Sequence, residues 1–343
     1  MQHRLSGPGA TTLLLQTTPS SILTLPNQHS TLSTLLHPTT GGIVDDTIIT
    51  RLGPELYYMV TNAACRAKDL GYLTTNIASL PTSEHIDWEV LSDWGLIALQ
   101  GPLSVSILTS LLAEPSSTDL SSLFFGQCRF ITVKLANGTI PAPILVSRGG
   151  YTGEDGFEIS LPPALTLPFT ETLLSTAGTD KLRLAGLGAR DSLRLEAGMC
   201  LYGHDLDDST TPVEAGLSWV IGKDRRVEGG FHGSEVILRQ LKPKKEGGGA
   251  GVERRRVGLV VEGPPAREGA EIRAGSSGEV LGKVTSGCPS PSTGKNIAMG
   301  YVKQGWNKAG TEVEVVVRGQ GRPAVVTKMP FVPTKYWKGA APA

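Results

Sequence analysis

The chain lacks a net charge, because 32 lysine and arginine residues balance 32 aspartate and glutamate residues. Proteins that bind nucleic acids or anionic membranes usually carry a basic excess, so the balance argues against both kinds of partner. Long apolar runs are missing too. The uncharged stretch at residues 94–113 is long enough to span a bilayer, but Gln100-Gly101-Pro102 interrupts it, and we therefore expect no membrane-spanning helix.

Paired cysteines are absent as well. The chain has four cysteines, Cys65, Cys128, Cys200 and Cys288, and no two of them form a CxxC motif. Such wide spacing argues against a zinc site and against a small disulfide scaffold. It is typical of inert thiols in a reducing compartment.

The first 44 residues contain no acidic residue and a single arginine, Arg4. Organellar transit peptides are also poor in acids, but they are rich in arginine. We therefore predict no targeting peptide here. The apolar segments at residues 13–15 and 22–36 are more typical of a folded domain.

Glycine and proline are abundant, with 42 and 23 residues, which indicates many turns and short strands. Strands over residues 43–50 and 56–61, joined at Gly53-Pro54, predict a hairpin, and Asn62 is a favourable N-cap for a helix running to about Ile77. Further strands are predicted at residues 95–100, 128–134, 144–147 and 157–161, and helices at 164–177 and 188–197. This order has no regular βαβ alternation and predicts an α+β fold.

A change in composition predicts the domain organisation. Residues 242–251 contain three lysines, a proline and four glycines, which is typical of a flexible surface linker. Short β-like runs separated by glycine and proline follow, as in a small β-barrel or sandwich. We predict one domain over residues 1–241, a linker over 242–251 and a β-domain over 252–337.

Adjacent acids stand inside the apolar strand that begins at residue 43. Successive strand side chains point to opposite faces, so only one of Asp45 and Asp46 can face a given site. A carboxylate with apolar neighbours is unfavourable unless it is paired or functional. Both a structural carboxylate that accepts turn amides and a catalytic one fit this pattern.

Two further segments carry candidate polar groups. Glu158 lies on the strand face opposite Phe157 and Ile159, where it could accept hydrogen bonds from a ligand with adjacent N–H donors or point into water. Arg190 and Arg194 are one helical turn apart and repel each other unless an acid or an anionic ligand lies near them.

The motifs around these residues resemble those of one family in their amino-acid sequence and in their order along the chain. They are Gly-Gly-Ile-Val-Asp-Asp at 41–46, Tyr-Thr-Gly-Glu-Asp-Gly-Phe-Glu at 151–158 and Gly-Ala-Arg-Asp-Ser-Leu-Arg-Leu-Glu-Ala-Gly at 188–198. The chain resembles the aminomethyltransferases, the T-proteins of the glycine cleavage system. The resemblance implies two α+β subdomains that hold a folate, followed by a C-terminal β-barrel.

The resemblance also implies a reaction and its participants. Family members take the aminomethyl group from the lipoyl arm of the H-protein, pass its methylene to the co-substrate tetrahydrofolate and release ammonia. No metal and no bound redox cofactor is implied, and the location is the mitochondrial matrix. By motif position, Asp46 matches the catalytic aspartate, while the folate contacts and supporting positions are Glu158, Arg190, Tyr336, Asn62, Arg194 and Glu214.

Members of this family begin before the first residue of this chain. We therefore expect that the N-terminal part of the folate-binding domain is missing and that residues 1–60 are loosely packed. A folate-binding fragment without activity is one alternative. Folate-linked domains of sarcosine and dimethylglycine dehydrogenases are another, although no GxGxxG flavin site is present. The related iron–sulfur assembly factors carry a cysteine where this chain has Gly150.

Overall fold

The computed structural model describes residues 1–244, 248–275 and 277–339. Within them the chain forms two sheets with flanking helices and a closed six-stranded barrel. This is the α+β architecture with a C-terminal barrel that the sequence predicts. The linker proposed over residues 242–251 includes residues 245–247, which lie outside the described residues, and the domain limits remain a proposal.

The first sheet has five strands in the order β2-β3-β4-β1-β5. Its helices α1 and α2 cover an apolar core that includes Leu5, Leu13, Leu14 and Leu73. The elements of this part are β1 Gln2–Ser6, α1 Pro8–Thr17, β2 His29–Leu36, β3 Ile43–Gly53, β4 Leu56–Thr61, α2 Arg66–Ala78 and β5 Asp87–Val90.

The second sheet has four antiparallel strands in the order β6-β9-β8-β7. Its core lies between the sheet and helices α3 and α4, where Phe157, Ile159 and Leu161 of β9 have no exposed surface. The elements are β6 Gly95–Gln100, α3 Ser104–Ser110, β7 Cys128–Ile131, β8 Ile144–Arg148, β9 Gly156–Leu161 and α4 Pro163–Ala177. Glu158 therefore points away from this core, as the alternation of β9 predicts.

A polar contact joins the two sheets on their facing sides. The Gln2 side-chain oxygen accepts hydrogen bonds from the Tyr58 hydroxyl of the first sheet, at 2.7 Å, and from the Ser160 hydroxyl of the second, at 2.6 Å. Ser160 and Glu158 share one face of β9. Glu158 therefore lies on the side of the second sheet that faces the first.

Three helices follow the sheets and lead into the barrel. They are α5 Leu187–Glu196, α6 Arg225–Glu228 and α7 Ser234–Leu241. The barrel closes in the order β10-β13-β12-β11-β14-β15 around alternating valine, leucine and alanine side chains. Its strands are β10 Arg254–Val261, β11 Glu271–Arg273, β12 Val280–Pro289, β13 Asn296–Lys303, β14 Glu312–Val317 and β15 Gln320–Thr327.

A buried ion pair on α5 also contacts the barrel through a hydroxyl group. The guanidinium group of Arg194 donates to Asp205 at 2.7 Å, and both side chains are almost completely buried. Arg194 also donates to Asp191 at 2.7 Å and to the Ser286 hydroxyl of β12 at 2.9 Å. These partners neutralise the cation and satisfy its donors, which a buried charge requires.

Residues 1–60 are not loosely packed in the structure, in contrast to the expectation. β1 pairs with β4 on one side and with β5 on the other. Leu5, Leu13 and Leu14 have no exposed surface. The start of the chain is therefore an internal strand of the first sheet with a covered core. Among the described residues, no helix combines the length and the apolar character needed to cross a bilayer.

The ion pair generates a stability prediction. Asp205→Ala leaves Arg194 buried beside fewer acceptors and should lower the free energy of unfolding by about 3–5 kcal/mol, the usual result of breaking a buried pair. Glu279→Ala breaks the half-exposed pair with Lys303 and should cost about 1 kcal/mol or less. Urea unfolding of both variants provides the measurement, and equal losses would contradict the role of the buried pair.

Candidate active site

A close backbone contact positions the start of β3. A Cβ atom on Gly42 would lie 1.8 Å from the carbonyl oxygen of Asp208, so no other residue fits without displacing the chain. The amide of Ile43 donates to the carbonyl of Thr210 at 2.9 Å. Together these contacts hold the strand residues that carry the two acids, and they explain the Gly-Gly pair that precedes them.

Asp45 and Asp46 are held by one side chain. Asn62 Nδ2 donates to Asp45 Oδ1 and to Asp46 Oδ1, each at 2.8 Å, and the backbone amide of Asn62 donates to Asp45 Oδ2 at 2.9 Å. A side-chain amide has two N–H groups, one for each carboxylate. Asp45 is fully buried, whereas Asp46 is half-buried.

This arrangement corrects the role predicted for Asn62. Asn62 precedes the helical region as expected, but its side chain makes no capping hydrogen bond, and a 3₁₀ turn, Ala63–Cys65, separates it from α2. The amide bonds the two carboxylates instead. Because Asn62 lies beyond the end of β4, it reaches both acids although they alternate along β3.

The Asp46 carboxyl titrates near neutrality. Burial, and secondarily the charge of Asp45, raise the pKa of Asp46 to about 6, while the hydrogen bond from Asn62 acts in the opposite direction. The ionised form of Asp46 is therefore the main form above about pH 6, and a substantial fraction of the carboxyl is protonated near that pH. This is the behaviour of an acid that can stabilise a cation or exchange a proton.

Glu158 and Arg190 lie on the second side of the site. Burial raises the pKa of Glu158, and the nearby Arg190 charge opposes this shift. Arg190 is exposed and stacks over the Tyr151 ring, with 4.7 Å between the guanidinium carbon and the ring centroid. Burial raises the pKa of Tyr151, the Arg194 charge opposes this shift, and the Asp46 charge adds to it.

Tyr336 belongs to a C-terminal tail, residues 328–339, that returns from the barrel to the sheets. The tail is fixed where the Lys335 amide donates to the Gly153 carbonyl at 2.8 Å. The Tyr336 ring stacks on Phe125 with centroids 4.1 Å apart. Its hydroxyl is buried and has no hydrogen-bond partner among the described residues.

Glu214 and Arg194 lie at the junction with the barrel and contact other groups. Glu214 accepts from the Arg254 side chain at 3.2 Å and from the Thr211 amide at 2.9 Å, and Arg194 pairs with Asp191 and Asp205 as described. The sequence analysis allowed either an acid or an anionic ligand near Arg194, and the structure places two acids there. These contacts account for both residues without a ligand.

Two residues of the site neighbourhood escaped the sequence analysis. Tyr151 was part of a motif but had no assigned role. Asp69 is fully buried on α2, beside the Asp45 charge. The sequence spacing indicates this burial. Asp69 follows Cys65 by four residues and precedes Leu73 by four, so it shares the inner face of the helix.

Comparison with known proteins identifies the family. The GCVT N-terminal domain matches residues 1–225, and the glycine cleavage T-protein C-terminal barrel domain matches residues 254–333. The chain belongs to the glycine cleavage T-protein family. Its activity is therefore that of a folate-dependent aminomethyltransferase.

Individual relatives agree with this assignment. The chain is 47% identical to a probable mitochondrial aminomethyltransferase of Schizosaccharomyces pombe, over 98% of this chain and 81% of the relative. It is 49% identical to a mitochondrial aminomethyltransferase of Solanum tuberosum, over 87% and 69%. These relatives support the expected mitochondrial location.

The fold agrees with a solved structure. The crystal structure of the glycine cleavage system aminomethyltransferase T from Bartonella henselae superposes with a TM-score of 0.83 at 34% identity, over 98% of this chain and 84% of the other. At this identity the likeness extends beyond the fold to the family.

The shared amide generates a prediction for the T-protein site. Asn62→Ala removes the hydrogen bond that favours the charged form of Asp46, and should move its titration midpoint upward by about one pH unit. Carbon NMR of the Asp46 carboxyl across a pH series measures the midpoint directly. Asn137→Ala changes an exposed loop asparagine and should leave it unchanged. A midpoint that stays or falls in Asn62→Ala would contradict the assignment.

Proposed function

We propose that Asp46 is the catalytic carboxylate of the aminomethyl transfer and that the space between the two sheets binds tetrahydrofolate. The observation that carries the proposal is the half-buried Asp46 carboxyl, which has a pKa of about 6 and is held in place by Asn62. A preorganised carboxylate in a site shielded from water stabilises developing positive charge far better than one in bulk water.

Two polar side chains support the folate assignment. The Tyr336 hydroxyl is buried and has no hydrogen-bond partner among the described residues, and Glu158 is half-buried. A buried polar group without a partner is unfavourable, and a ligand with polar edges could bond to both groups. We propose that Glu158 accepts hydrogen bonds from the amino-pyrimidine edge of the pterin.

Cationic and aromatic side chains complete the proposed ligand site. Arg190 is exposed beside Tyr151, where its charge can pair with an anionic part of the folate. Tyr336 offers a ring edge and a hydroxyl next to Phe125. Asn62 orients Asp46, and Arg194 and Glu214 act indirectly by holding the barrel against α5 and the segment around residue 211.

The catalytic role of Asp46 follows from its charge. The methylene carbon forms bonds to two nitrogen atoms of tetrahydrofolate, while its bonds to the amine nitrogen and to the lipoyl sulfur break. Ammonia and the lipoyl thiol leave with the two protons that the folate nitrogens lose. The Asp46 carboxylate stabilises the positive charge that develops on the carbon as ammonia leaves, and its pKa allows it to accept or return a proton near neutral pH. The rate should therefore fall as the pH drops through about 6, because Asp46 becomes protonated.

The donor partner is proposed to be the lipoylated H-protein of the glycine cleavage system. Support comes from the family and from the Bartonella henselae relative, whose name places it in that system. A folate-binding fragment without activity would retain the ligand contacts but show no ammonia release. The assays below separate the two cases.

Removal of the Asp46 carboxyl tests the catalytic assignment. Asp46→Ala and Asp46→Asn should each lower the rate of ammonia release from aminomethylated H-protein by about 100- to 1,000-fold, the usual loss when a transition-state electrostatic contact is removed. Circular dichroism should show an intact fold, since Asp46 is only half-buried. Asp180→Asn at an exposed turn is the matched control. Near-normal rates in both Asp46 variants would refute the role.

Glu158→Gln tests the folate contact. The change keeps the shape of the side chain and removes its charge, so tetrahydrofolate affinity should fall by about 1.5–3 kcal/mol, the range for hydrogen bonds to charged groups. This corresponds to about a 10- to 150-fold higher Kd. Calorimetric titration measures it, with the exposed Glu171→Gln on α4 as control. An unchanged Kd would show that Glu158 does not contact the ligand.

A further inference from the structure

Arg148 is a cation at the end of β8 that the proposed mechanism does not use. Its side chain is almost completely buried and forms an ion pair with Asp155. The guanidinium nitrogens Nε and Nη2 donate to the two carboxylate oxygens of Asp155, at 2.9 and 2.5 Å. Such a bidentate pair is strong and fixes the relative geometry of its partners. Because Arg148 precedes the loop over residues 149–155 and Asp155 is its last residue, the pair closes this loop at its base.

The third nitrogen of the same guanidinium holds a second segment. Nη1 donates to the backbone carbonyls of Leu120 and Leu123, at 2.8 and 2.7 Å, and both contacts are buried. A buried guanidinium requires acceptors for its donors, and here each of the three nitrogens has one. The two carbonyls belong to one turn, which leads to Phe125. Arg148 therefore joins the loop 149–155 to the turn that precedes Phe125.

A third segment, the C-terminal tail, packs over the same cation. The Trp337 ring lies over the Arg148 guanidinium, with 5.6 Å between the guanidinium carbon and the ring centroid, a geometry in which a cation is attracted to an aromatic face. The indole N–H of Trp337 donates to the Ser121 carbonyl at 2.8 Å, and the Trp337 carbonyl accepts from the Phe125 amide at 2.7 Å. These contacts fix the position of the preceding residue, Tyr336, whose ring stacks on Phe125.

The loop 149–155 carries a further residue of the proposed ligand site. Tyr151 is the third residue of this loop, and its ring stacks with the exposed arginine of α5. The loop also contacts the tail directly, where the Gly153 carbonyl accepts from the Lys335 amide at 2.8 Å. One buried cation thus connects the segments that carry Tyr151 and Tyr336.

We propose that Arg148 is a positioning residue of the ligand site, which holds the loop 149–155, the turn before Phe125 and the tail together before the ligand binds. The Tyr151 and Tyr336 side chains are then already ordered in the free protein. A site that is ordered in advance loses less conformational entropy on binding, and its affinity is correspondingly higher. The inference rests on the proposed folate site between the sheets.

Arg148→Lys tests this role while keeping a positive charge beside Asp155. Lysine lacks the planar fork that bonds the carboxylate and the turn carbonyls together. The Kd of tetrahydrofolate should rise by about tenfold or more, because the loop and the tail must then become ordered on binding. At saturating tetrahydrofolate, kcat should fall by less than about twofold, as expected when an interaction contributes to binding alone.

Calorimetric titration and steady-state kinetics of the full chain provide these measurements, and they separate positioning from a loss of folded protein. A purely structural role would reduce the fraction of competent molecules. The calorimetric stoichiometry and kcat would then fall together while Kd and KM stayed unchanged. That result in Arg148→Lys would overturn the positioning role.

Hydrogen–deuterium exchange of the free protein tests the order of the segments without any ligand. The amides of Phe125 and Lys335 donate across the joined segments, so their exchange reports local opening. In Arg148→Lys, peptides that contain these amides should exchange about tenfold or more faster, whereas peptides from strand β13 should keep their rates. Unchanged exchange at both amides would overturn the inference, whatever the ligand.

Arg129→Lys is the matched control, because Arg129 donates to the same region, to the Asp119 carbonyl at 3.0 Å and to the Ser122 hydroxyl at 3.3 Å. Its Kd and its exchange rates should equal those of the natural chain. Equal effects of Arg129→Lys and Arg148→Lys would show that any change near this turn weakens binding, and would overturn the specific role of Arg148.

Failure of the inference and failure of the proposed function give different results. If Glu158→Gln raises the Kd of tetrahydrofolate and Arg148→Lys does not, the positioning role is overturned and the folate site stands. If both variants leave the Kd unchanged, the proposed folate site is refuted.

Discussion

The structure is organised around two consecutive acids that one amide holds together. Asp45 and Asp46 alternate along β3, yet Asn62 donates to both carboxylates at 2.8 Å. Burying two adjacent negative charges is unfavourable unless each finds donors. Asn62 supplies these donors, and the neighbouring segments fix the positions of the acids and of Asn62. The Gly42 contact with the segment around Asp208 places the strand, and the hairpin with β4 brings Asn62 to its end.

The second sheet and the barrel provide the opposite side of the site. Gln2 links the sheets through Tyr58 and Ser160, so the face of β9 that carries Glu158 is turned toward the first sheet. The tail then returns from the barrel and brings Tyr336 against Phe125. The residues of the proposed site therefore come from both sheets, from α5 and from the tail.

Charge is distributed unevenly across this region. The acids Asp46 and Glu158 are half-buried and have raised pKa values, whereas Arg190 is exposed above Tyr151. Arg194, one turn further along α5, is buried and neutralised by Asp205. The two arginines thus differ in burial and pairing despite their i, i+4 spacing: Arg194 is buried and paired, and Arg190 is exposed.

The sequence alone determined the local structure and the family. The hairpin of β3 and β4, strand β6 and the alternation of β9 follow from patterns within a few residues, and the long motifs indicated the T-protein fold with its barrel. Contacts between distant residues were decided only by the tertiary structure. Asn62 looks like an N-cap in sequence, and its amide turns to β3 because the end of β4 passes beside both acids. Asp69 looks like a helix residue of the first turn, and its burial depends on how α2 packs on the sheet. Sequence patterns report which face a side chain occupies, whereas pKa values and hydrogen-bond partners depend on what the opposite element places against that face.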